Sequence, residues 1–339
     1  MTTPVIATPD SSPDSGPAAD TAPVKGGPTV GQRLTSFMPL IALVGLLAAL
    51  TIADPDFLTQ RSLTAAVRTS APLAVLAAGA TLVVLCGGID LSIAALCSLT
   101  TVLFAMWLPD LGGLTTLAAI GIAAAIGAVQ GIAHVLLRIP SFIVTLGGMS
   151  IFSAVALVIS DAGPIRIVDR DATKWLTLYV GGVVPMSFFI AVIVVAAISL
   201  VLKLTPLESF VRATGYSESA ARLAGAPVDL VKVAAFTISG ACAGLAAVML
   251  VSRNFSGSPT MADNLLLPAV AAIVVGGTAI TGGHGSLWRS LTGALVVTLL
   301  RVGLPIVGVP SAWEQILYGA IIVAAVALTL DRSKVLIIK

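Results

Sequence analysis

Long apolar runs alternate with short polar stretches along most of the chain. Each run is long enough, or nearly so, to cross a bilayer about 30 Å thick as a helix. The runs cover residues 37–53, 63–86, 91–108, 113–137, 139–160, 179–202, 233–252, 266–281, 287–306 and 313–330. The pattern predicts an all-α polytopic membrane protein with about ten transmembrane helices.

Composition supports this class and excludes others. Hydrophobic residues make up 57% of the chain, charged residues 10%, and the mean hydropathy is +1.06, whereas ordinary soluble domains are about 25% charged. The unbroken apolar runs and the 5% aromatic content do not fit a β-barrel. The net charge of +2, without a basic stripe, gives no reason to expect a nucleic-acid partner.

The basic residues predict the orientation in the bilayer. If the chain crosses at every apolar run, most of its 18 Lys and Arg residues fall on the side of the N-terminus, which is typical of the cytoplasmic side. Both termini are then cytoplasmic, and residues 203–232 form the largest cytoplasmic loop. The ten spans divide into five plus five, which suggests two five-helix halves from an internal duplication.

The N-terminal residues differ from the rest in composition. Residues 1–31 are rich in Pro, Ser, Thr, Ala and Asp, and such a segment buries too little apolar surface to order itself. We therefore predict a disordered cytoplasmic tail over 1–31, with either a solubilising or a tethering role. Residues 32–339 form the transmembrane domain.

The 203–232 loop contains the signals of one short helix. Ser217 is a good N-cap, Glu218 lies in the first turn, and Gly225 and Pro227 end the helix. About seven residues are too few for a helix that is stable alone in water. This helix therefore needs a partner surface, either on its own chain or on another protein.

Two apolar stretches are interrupted by paired glycines, residues 85–92 (LCGGIDLS) and residues 275–286 (VGGTAITGGHGS). Irregular backbone at membrane depth is tolerated only against protein or water, and interrupted helices in two halves of a transporter indicate its pathway. The alternative is that these glycines allow close helix packing.

Asp90, in the first of these stretches, allows two interpretations. An acidic residue near membrane depth is a candidate functional residue. Because Asp90 precedes an apolar helix, its carboxylate could equally accept backbone N–H bonds as a cap.

Several kinds of chemistry have no sequence signal. The chain contains no P-loop motif and no zinc-protease motif. It has two histidines, His134 and His284, and although His284 is close to Ser286, the strained turn and oxyanion hole that a Ser–His dyad needs have no signal. The cysteines Cys86, Cys97 and Cys242 lie in apolar runs, as small core residues do. We expect no enzyme activity, metal or cofactor in this chain. Candidates for a membrane proton relay are few: Asp90, Arg68, Gln130, Arg301 and Glu314.

Four collinear segments carry a family resemblance. Residues 79–92 (GATLVVLCGGIDLS), 139–152, 215–228 and 271–285 resemble signatures of the permease subunits of bacterial ABC importers for ribose-type sugars. The resemblance runs from about residue 34 to the C-terminus. Ser217 stands where that family often has Asn, and both residues can cap a helix.

The resemblance implies a multi-pass permease of the bacterial inner membrane that moves a monosaccharide by alternating access. It implies three protein partners: a separate ABC ATPase that binds ATP and Mg, an extracytoplasmic sugar-binding protein, and a second permease chain. The alternatives are a nucleoside or branched-chain amino-acid permease of the same superfamily, or a stand-alone ion-coupled carrier.

The resemblance also implies two sets of functional residues. Those expected to couple to the ATPase are Gly215, Ser217, Glu218, Ala221, Arg222 and Gly225. Those expected along the substrate pathway are Gly87, Gly88, Asp90, Ser92, Thr145, Gly147, Gly277 and Gly282.

Overall fold

A computed structural model describes residues 30–329. Most of the predicted tail over 1–31 lies outside the described residues, but its last two residues already belong to the first helix. The expected cytoplasmic C-terminal end beyond residue 329 also lies outside them.

Nearly all of the described chain is helical. The helices are α1 (Val30–Ala53), α2 (Gln60–Leu85), α3 (Ile93–Leu111), α4 (Thr115–Leu137), α5 (Ser141–Ile159), α6 (Asp171–Lys174), α7 (Met186–Leu204), α8 (Leu207–Tyr216), α9 (Glu218–Leu223), α10 (Val228–Asn254), α11 (Leu266–Val275), α12 (Leu287–Ile306) and α13 (Glu314–Thr329). A helix lies within every predicted apolar run. The all-α membrane class is therefore confirmed.

Two predicted spans have wrong boundaries. Residues 179–185 are not helical: β2 (Tyr179–Val180) and β3 (Val184–Pro185) pair antiparallel, and the helix begins at Met186. The predicted span 266–281 is helical only to Val275. A second small antiparallel pair joins β1 (Ile165–Arg166) to β4 (Ser256–Gly257).

The helices differ in how far they can cross a membrane. Within residues 30–329, six helical stretches are long and apolar enough to do so, and one of them, Ile93–Leu137, contains both α3 and α4. Helix α11 has only 10 residues, or about 15 Å of helix, which is half the thickness of the hydrocarbon layer. Helix α11 alone is therefore too short to cross this layer.

Helices α2 and α10 form the centre of the bundle. In their most apolar windows, 83% of α2 and 67% of α10 are buried by protein, compared with 22% of α5 and of α7. An α-helix that is apolar on all sides is either central or lipid-facing. The central helices are thus separated from lipid by the outer ones.

Small residues let α10 approach α4 closely. A Cβ atom added to Gly127 would lie 2.3 Å from the Phe236 carbonyl oxygen, and one added to Gly240 would lie 2.2 Å from the Ala123 carbonyl oxygen. Such backbone contact is typical of membrane helix pairs. Gly127 and Gly240 lie outside the two stretches with paired glycines and serve this close packing.

Candidate functional site

The first glycine break reverses the chain at the end of α2. Gly87 has φ +79°, and its N–H donates to the Val84 carbonyl while the Gly88 N–H donates to the Val83 carbonyl. This is a Schellman motif, in which the left-handed residue is usually glycine. The following Ile89 N–H donates to the Ser141 hydroxyl (3.0 Å), which holds the turn against the start of α5.

The second glycine break has the same geometry at the end of α11. Gly277 has φ +72°, its N–H donates to the Val274 carbonyl, and the Thr278 N–H donates to the Ile273 carbonyl. The two predicted breaks therefore end their helices with equivalent hydrogen bonds. The ends of α5, α9 and α12 carry the same pair of hydrogen bonds, so this is a common helix ending in the chain.

The structure brings both breaks against the end of α8. A Cβ atom added to Gly215 would lie 2.0 Å from the Leu85 carbonyl oxygen and 2.3 Å from the Gly283 nitrogen. The Gly283 N–H donates to the Leu85 carbonyl (3.0 Å), and an added Cβ on Gly282 would lie 2.8 Å from the Gly87 Cα. We call the four residues Gly87, Gly215, Gly282 and Gly283 the glycine junction.

Polar side chains of α8 strengthen the glycine junction. The Arg212 guanidinium donates to the Gly283 and Gly285 carbonyls, each at 3.3 Å, and pairs with Glu208 at 2.9 Å. The Tyr216 hydroxyl lies 2.6 Å from His284 Nε2. The 203–232 loop is thus bonded to the second break by side chains as well as by backbone packing.

A buried polar network surrounds Asp90. Its Oδ1 accepts hydrogen bonds from the Ser92 N–H (3.0 Å) and the Ser92 hydroxyl (2.7 Å), and its Oδ2 accepts one from the Ser239 hydroxyl on α10 (2.9 Å). The Gln130 amide on α4 donates to the Ser92 hydroxyl oxygen at 2.9 Å. The network therefore joins the start of α3 to α4 and α10.

This geometry partly confirms the capping interpretation of Asp90. Ser92, and not Asp90, holds the N-cap position of α3, and the Ser92 side chain makes no capping hydrogen bond. The Asp90 carboxylate instead binds the N–H of that residue. The contact to Ser239, 149 positions away, goes beyond a local cap.

The short helix α9 forms as its sequence predicts. The Ser217 hydroxyl accepts the Ala220 N–H, and Gly225, at φ +81°, ends the helix, with the Ala226 N–H donating to the Ala221 carbonyl. Ala221 is buried against the rest of the chain, whereas Leu223 is 91% exposed. The outer face of α9 therefore carries an apolar side chain with no cover from the described residues.

Charged groups join α9 to the start of α10. Glu218 pairs with Arg222 (3.0 Å) and with Lys232 (2.6 Å), and Arg222 also pairs with Asp229. Burial raises the pKa of the Glu218 carboxyl, but the hydrogen bonds and charges of Lys232 and Arg222 outweigh it and hold this pKa below its ordinary value. Glu218 therefore stays ionised near neutral pH.

The remaining predicted pathway residues separate into two groups. The Thr145 hydroxyl donates to the Ile89 carbonyl (3.2 Å), so Thr145 belongs with the first break. Gly147 and Gly277 are exposed. The packed glycine of α5 is Gly148, where an added Cβ would lie 2.3 Å from Gln130 Nε2.

Alanine substitutions should separate the two neighbouring glycines of α5. Gly148→Ala should lower the free energy of unfolding by about 1–3 kcal/mol, because the new Cβ displaces the Gln130 amide from Ser92. Gly147→Ala gains the same helix propensity, and its Cβ meets nothing within 4 Å, so its melting temperature should match or exceed wild type. Thermal unfolding in one detergent compares them, and equal melting temperatures would contradict this packing.

Several functional contacts were missed at the sequence level. The segment Leu207–Tyr216 gave no prediction of a helix, although its buried Val211 and Thr214 are three residues apart, as on one helical face. The sequence suggests for His284 only a Ser–His pair with Ser286. Its contact with Tyr216 depends on packing between segments 68 positions apart.

The described residues contain no group of three or more metal-ligating side chains. Cys86, Cys97 and Cys242 are buried and unpaired within this part of the chain. The arrangement consists of glycine turns, close glycine contacts and a short helix with an exposed apolar side chain. Such a site is suited to transmitting motion between a loop and membrane helices.

Comparison with known proteins identifies the class. Residues 62–326 match the family described as branched-chain amino acid transport system / permease component, so the chain belongs to this family of membrane permease components. No solved structure matches the chain.

Individual relatives cover most of the chain. It is 34% identical over 292 residues to the ribose import permease protein RbsC of Escherichia coli (strain K12), covering 85% of this chain and 91% of that protein. It is 32% identical over 312 residues to RbsC of Bacillus subtilis (strain 168), covering 90% and 94%. It is 31% identical over 318 residues to the fructose import permease protein FrcC of Rhizobium meliloti, covering 88% of each.

Proposed function

We propose that this chain is the transmembrane permease subunit of an ABC importer for a monosaccharide of pentose or hexose type. Relatives named as ribose and fructose import permeases support the substrate class. The chain is a multi-pass protein of the bacterial inner membrane. It carries no ATPase site of its own, and ATP and Mg are bound by a separate ATPase subunit.

The proposed topology has ten spans in two five-helix halves, with both termini cytoplasmic. The excess of Lys and Arg on the side of the N-terminus supports this orientation. The glycine junction, α8 and α9 then lie at the cytoplasmic end of the bundle. The opposite end faces the extracytoplasmic sugar-binding protein, and a second permease chain completes the pathway.

The observation that carries the proposal is the direct contact between α8 and both glycine breaks. Helix α9 exposes Leu223 toward the ATPase and follows α8 after one residue, Ser217. A displacement of α9 therefore reaches Gly215, and through it the end of α2 and the Gly282–Gly283 stretch after α11. The mechanism is alternating access, in which ATP-driven movement of α9 rearranges these helices around the path.

Charge reversal at Glu218 tests this role of α9. Glu218→Lys removes the pairs to Arg222 and Lys232 and places a third cation beside them. We expect sugar uptake in proteoliposomes containing the whole importer to fall about tenfold while ATP hydrolysis continues, because α9 no longer moves with α10. Gly225→Val, which forces a β-branched residue to φ +81°, should also lower uptake, because the distorted end of α9 no longer holds the ATPase.

The matched control is Asp110→Lys. Asp110 is exposed at the far end of α3 from Ser92, so this reversal changes net charge equally without touching α9. Wild-type uptake per ATP in Glu218→Lys and Gly225→Val would remove α9 from the proposed role.

The alternative of a branched-chain amino-acid substrate, which the family description raises, is checked by offering leucine in the same assay.

A further inference from the structure

A cationic cleft opens at the end of the bundle opposite the glycine junction. It has a volume of about 740 Å³ and lies between the start of α2, the β2–β3 hairpin and the end of α10. Its lining consists of Gln60, Arg61, Thr64, Ala65, Arg68, Thr69, Tyr179, Gly182 and Arg253. This size is typical of a small-molecule site.

The charge in the cleft is of one sign. Arg61, Arg68 and Arg253 line it, and no Asp or Glu does. Across residues 30–329, none of these three guanidinium groups has a carboxylate within 4.0 Å. The positive end of the α2 dipole also lies here, because α2 begins at Gln60. Within the described residues, these cations therefore meet no opposite charge.

The position of Arg68 argues against a simple solvated face. Arg68 lies eight residues into α2 and is half-buried, about 12 Å along the helix from its start. It also faces Arg253 across a narrower space lined by Pro72, Leu176 and Met249. An arginine whose guanidinium is simply solvated would be expected at the helix end.

The other lining groups suit a sugar. Gln60 offers an amide, and the half-exposed Tyr179 offers an aromatic face and a hydroxyl. The Thr64 and Thr69 hydroxyls donate to backbone carbonyls and can still accept a hydrogen bond. Arginine binds carboxylate and phosphate groups through paired N–H donors. A ligand with both a polyol body and one anionic group would match the whole lining.

The geometry points to a binding site for an anionic monosaccharide derivative, with a carboxylate or a phosphate, in this cleft. The inference deepens the proposed function, since it rests on this chain carrying a monosaccharide, and it narrows the substrate to an acidic one. Arg61 and Arg68 hold the anionic group. Tyr179 and the threonines contact the sugar body.

Thermal unfolding of the purified full chain in nanodiscs tests this site. The probes are D-glucuronate, D-ribose 5-phosphate, D-glucose and sodium phosphate at equal ionic strength. We expect glucuronate or ribose 5-phosphate to raise the melting temperature in a saturable way, and whichever does so identifies the carboxylate or the phosphate as the anionic group. Glucose and sodium phosphate should give no saturable shift.

Variants assign the effect to the cleft. Arg61→Gln and Arg68→Gln should each weaken binding about tenfold, as expected for loss of a charged hydrogen bond. Arg166→Gln, on strand β1 and outside the cleft lining, should bind like wild type. Arg253→Gln is a further variant if Arg68→Gln does not fold.

Three outcomes would overturn the inference: equal shifts with glucose, equal shifts with sodium phosphate, or unchanged binding in every arginine variant. A failure of the acidic-substrate inference can be told apart from a failure of the proposed importer function. ATP-driven uptake of neutral D-ribose without any response to the acidic sugars would leave the importer intact and refute only the acidic substrate.

Discussion

Replacing Gly215 with valine should abolish ATP-driven sugar uptake while leaving the chain inserted in the membrane. The new Cβ would lie 2.0 Å from one backbone oxygen and 2.3 Å from one backbone nitrogen, and neither can rotate away as a side chain could. Overpacking of this kind costs about 1–3 kcal/mol, and here it separates α8 from both glycine breaks. Uptake should fall at least roughly tenfold.

The measurement compares uptake and ATP hydrolysis in proteoliposomes containing the whole importer. Gly215→Ala should give an intermediate loss, because the first added atom already makes the contact. The matched control is Gly121→Ala on α4, where an added Cβ meets nothing within 4 Å. Wild-type uptake in Gly215→Val would show that the glycine junction does not transmit motion.

Substitutions at Asp90 have the second large expected effect, and the size of the loss depends on the replacement. Asp90→Leu removes the acceptor of three hydrogen bonds from Ser92 and Ser239. Each unsatisfied buried donor costs about 1–3 kcal/mol, so the yield of folded protein should fall severely. Asp90→Asn keeps one carbonyl oxygen for Ser92, and its amide can donate to the Ser239 hydroxyl, so its yield should stay near wild type.

Uptake by the Asp90→Asn variant then distinguishes a structural role of the Asp90 carboxylate from a role in transport. If the carboxylate only organises the start of α3, the neutral amide should support near wild-type uptake. Loss of uptake in a well-folded Asn variant would contradict that role and would place the charge itself on the pathway. Ser239→Ala, which removes a single partner, should lower the melting temperature less than Asp90→Leu.

The sequence predicts those features of the fold that depend on local rules. Long apolar runs predict the membrane helices, the Ser217 cap and Gly225 mark the ends of α9, and paired glycines mark both helix breaks. Each of these signals lies within a few residues of the structure that it specifies. The sequence likewise marks Gly147 and Gly148 as a glycine pair, but no neighbouring residue shows which of the two faces Gln130.

The contacts that form the candidate site are set by packing and not by local pattern. Gly215 meets Leu85 and Gly283, which lie far away in the sequence, and Tyr216 meets His284. The Asp90 network similarly depends on Gln130 and Ser239 from two other helices. The β2–β3 hairpin was missed because its residues are apolar enough to extend the neighbouring run.

The equivalent helix ends after α2 and α11 give the glycine junction a physical rationale. A Schellman turn leaves the following residues free to change direction, while the rigid helix before it moves as a unit. The first of these turns and the Gly282–Gly283 stretch that follows the second meet at Gly215 of α8. A single displacement in the loop can therefore act on both halves of the bundle together.

Purification of the tagged full chain in mild detergent, with mass spectrometry of the co-purifying proteins, tests the central claim most directly. We expect an ATPase with a P-loop in stoichiometric amount, lost with Gly225→Val and retained with Gly121→Ala. A chain that purifies alone and moves sugar in liposomes without ATP would contradict the account and indicate an ion-coupled carrier.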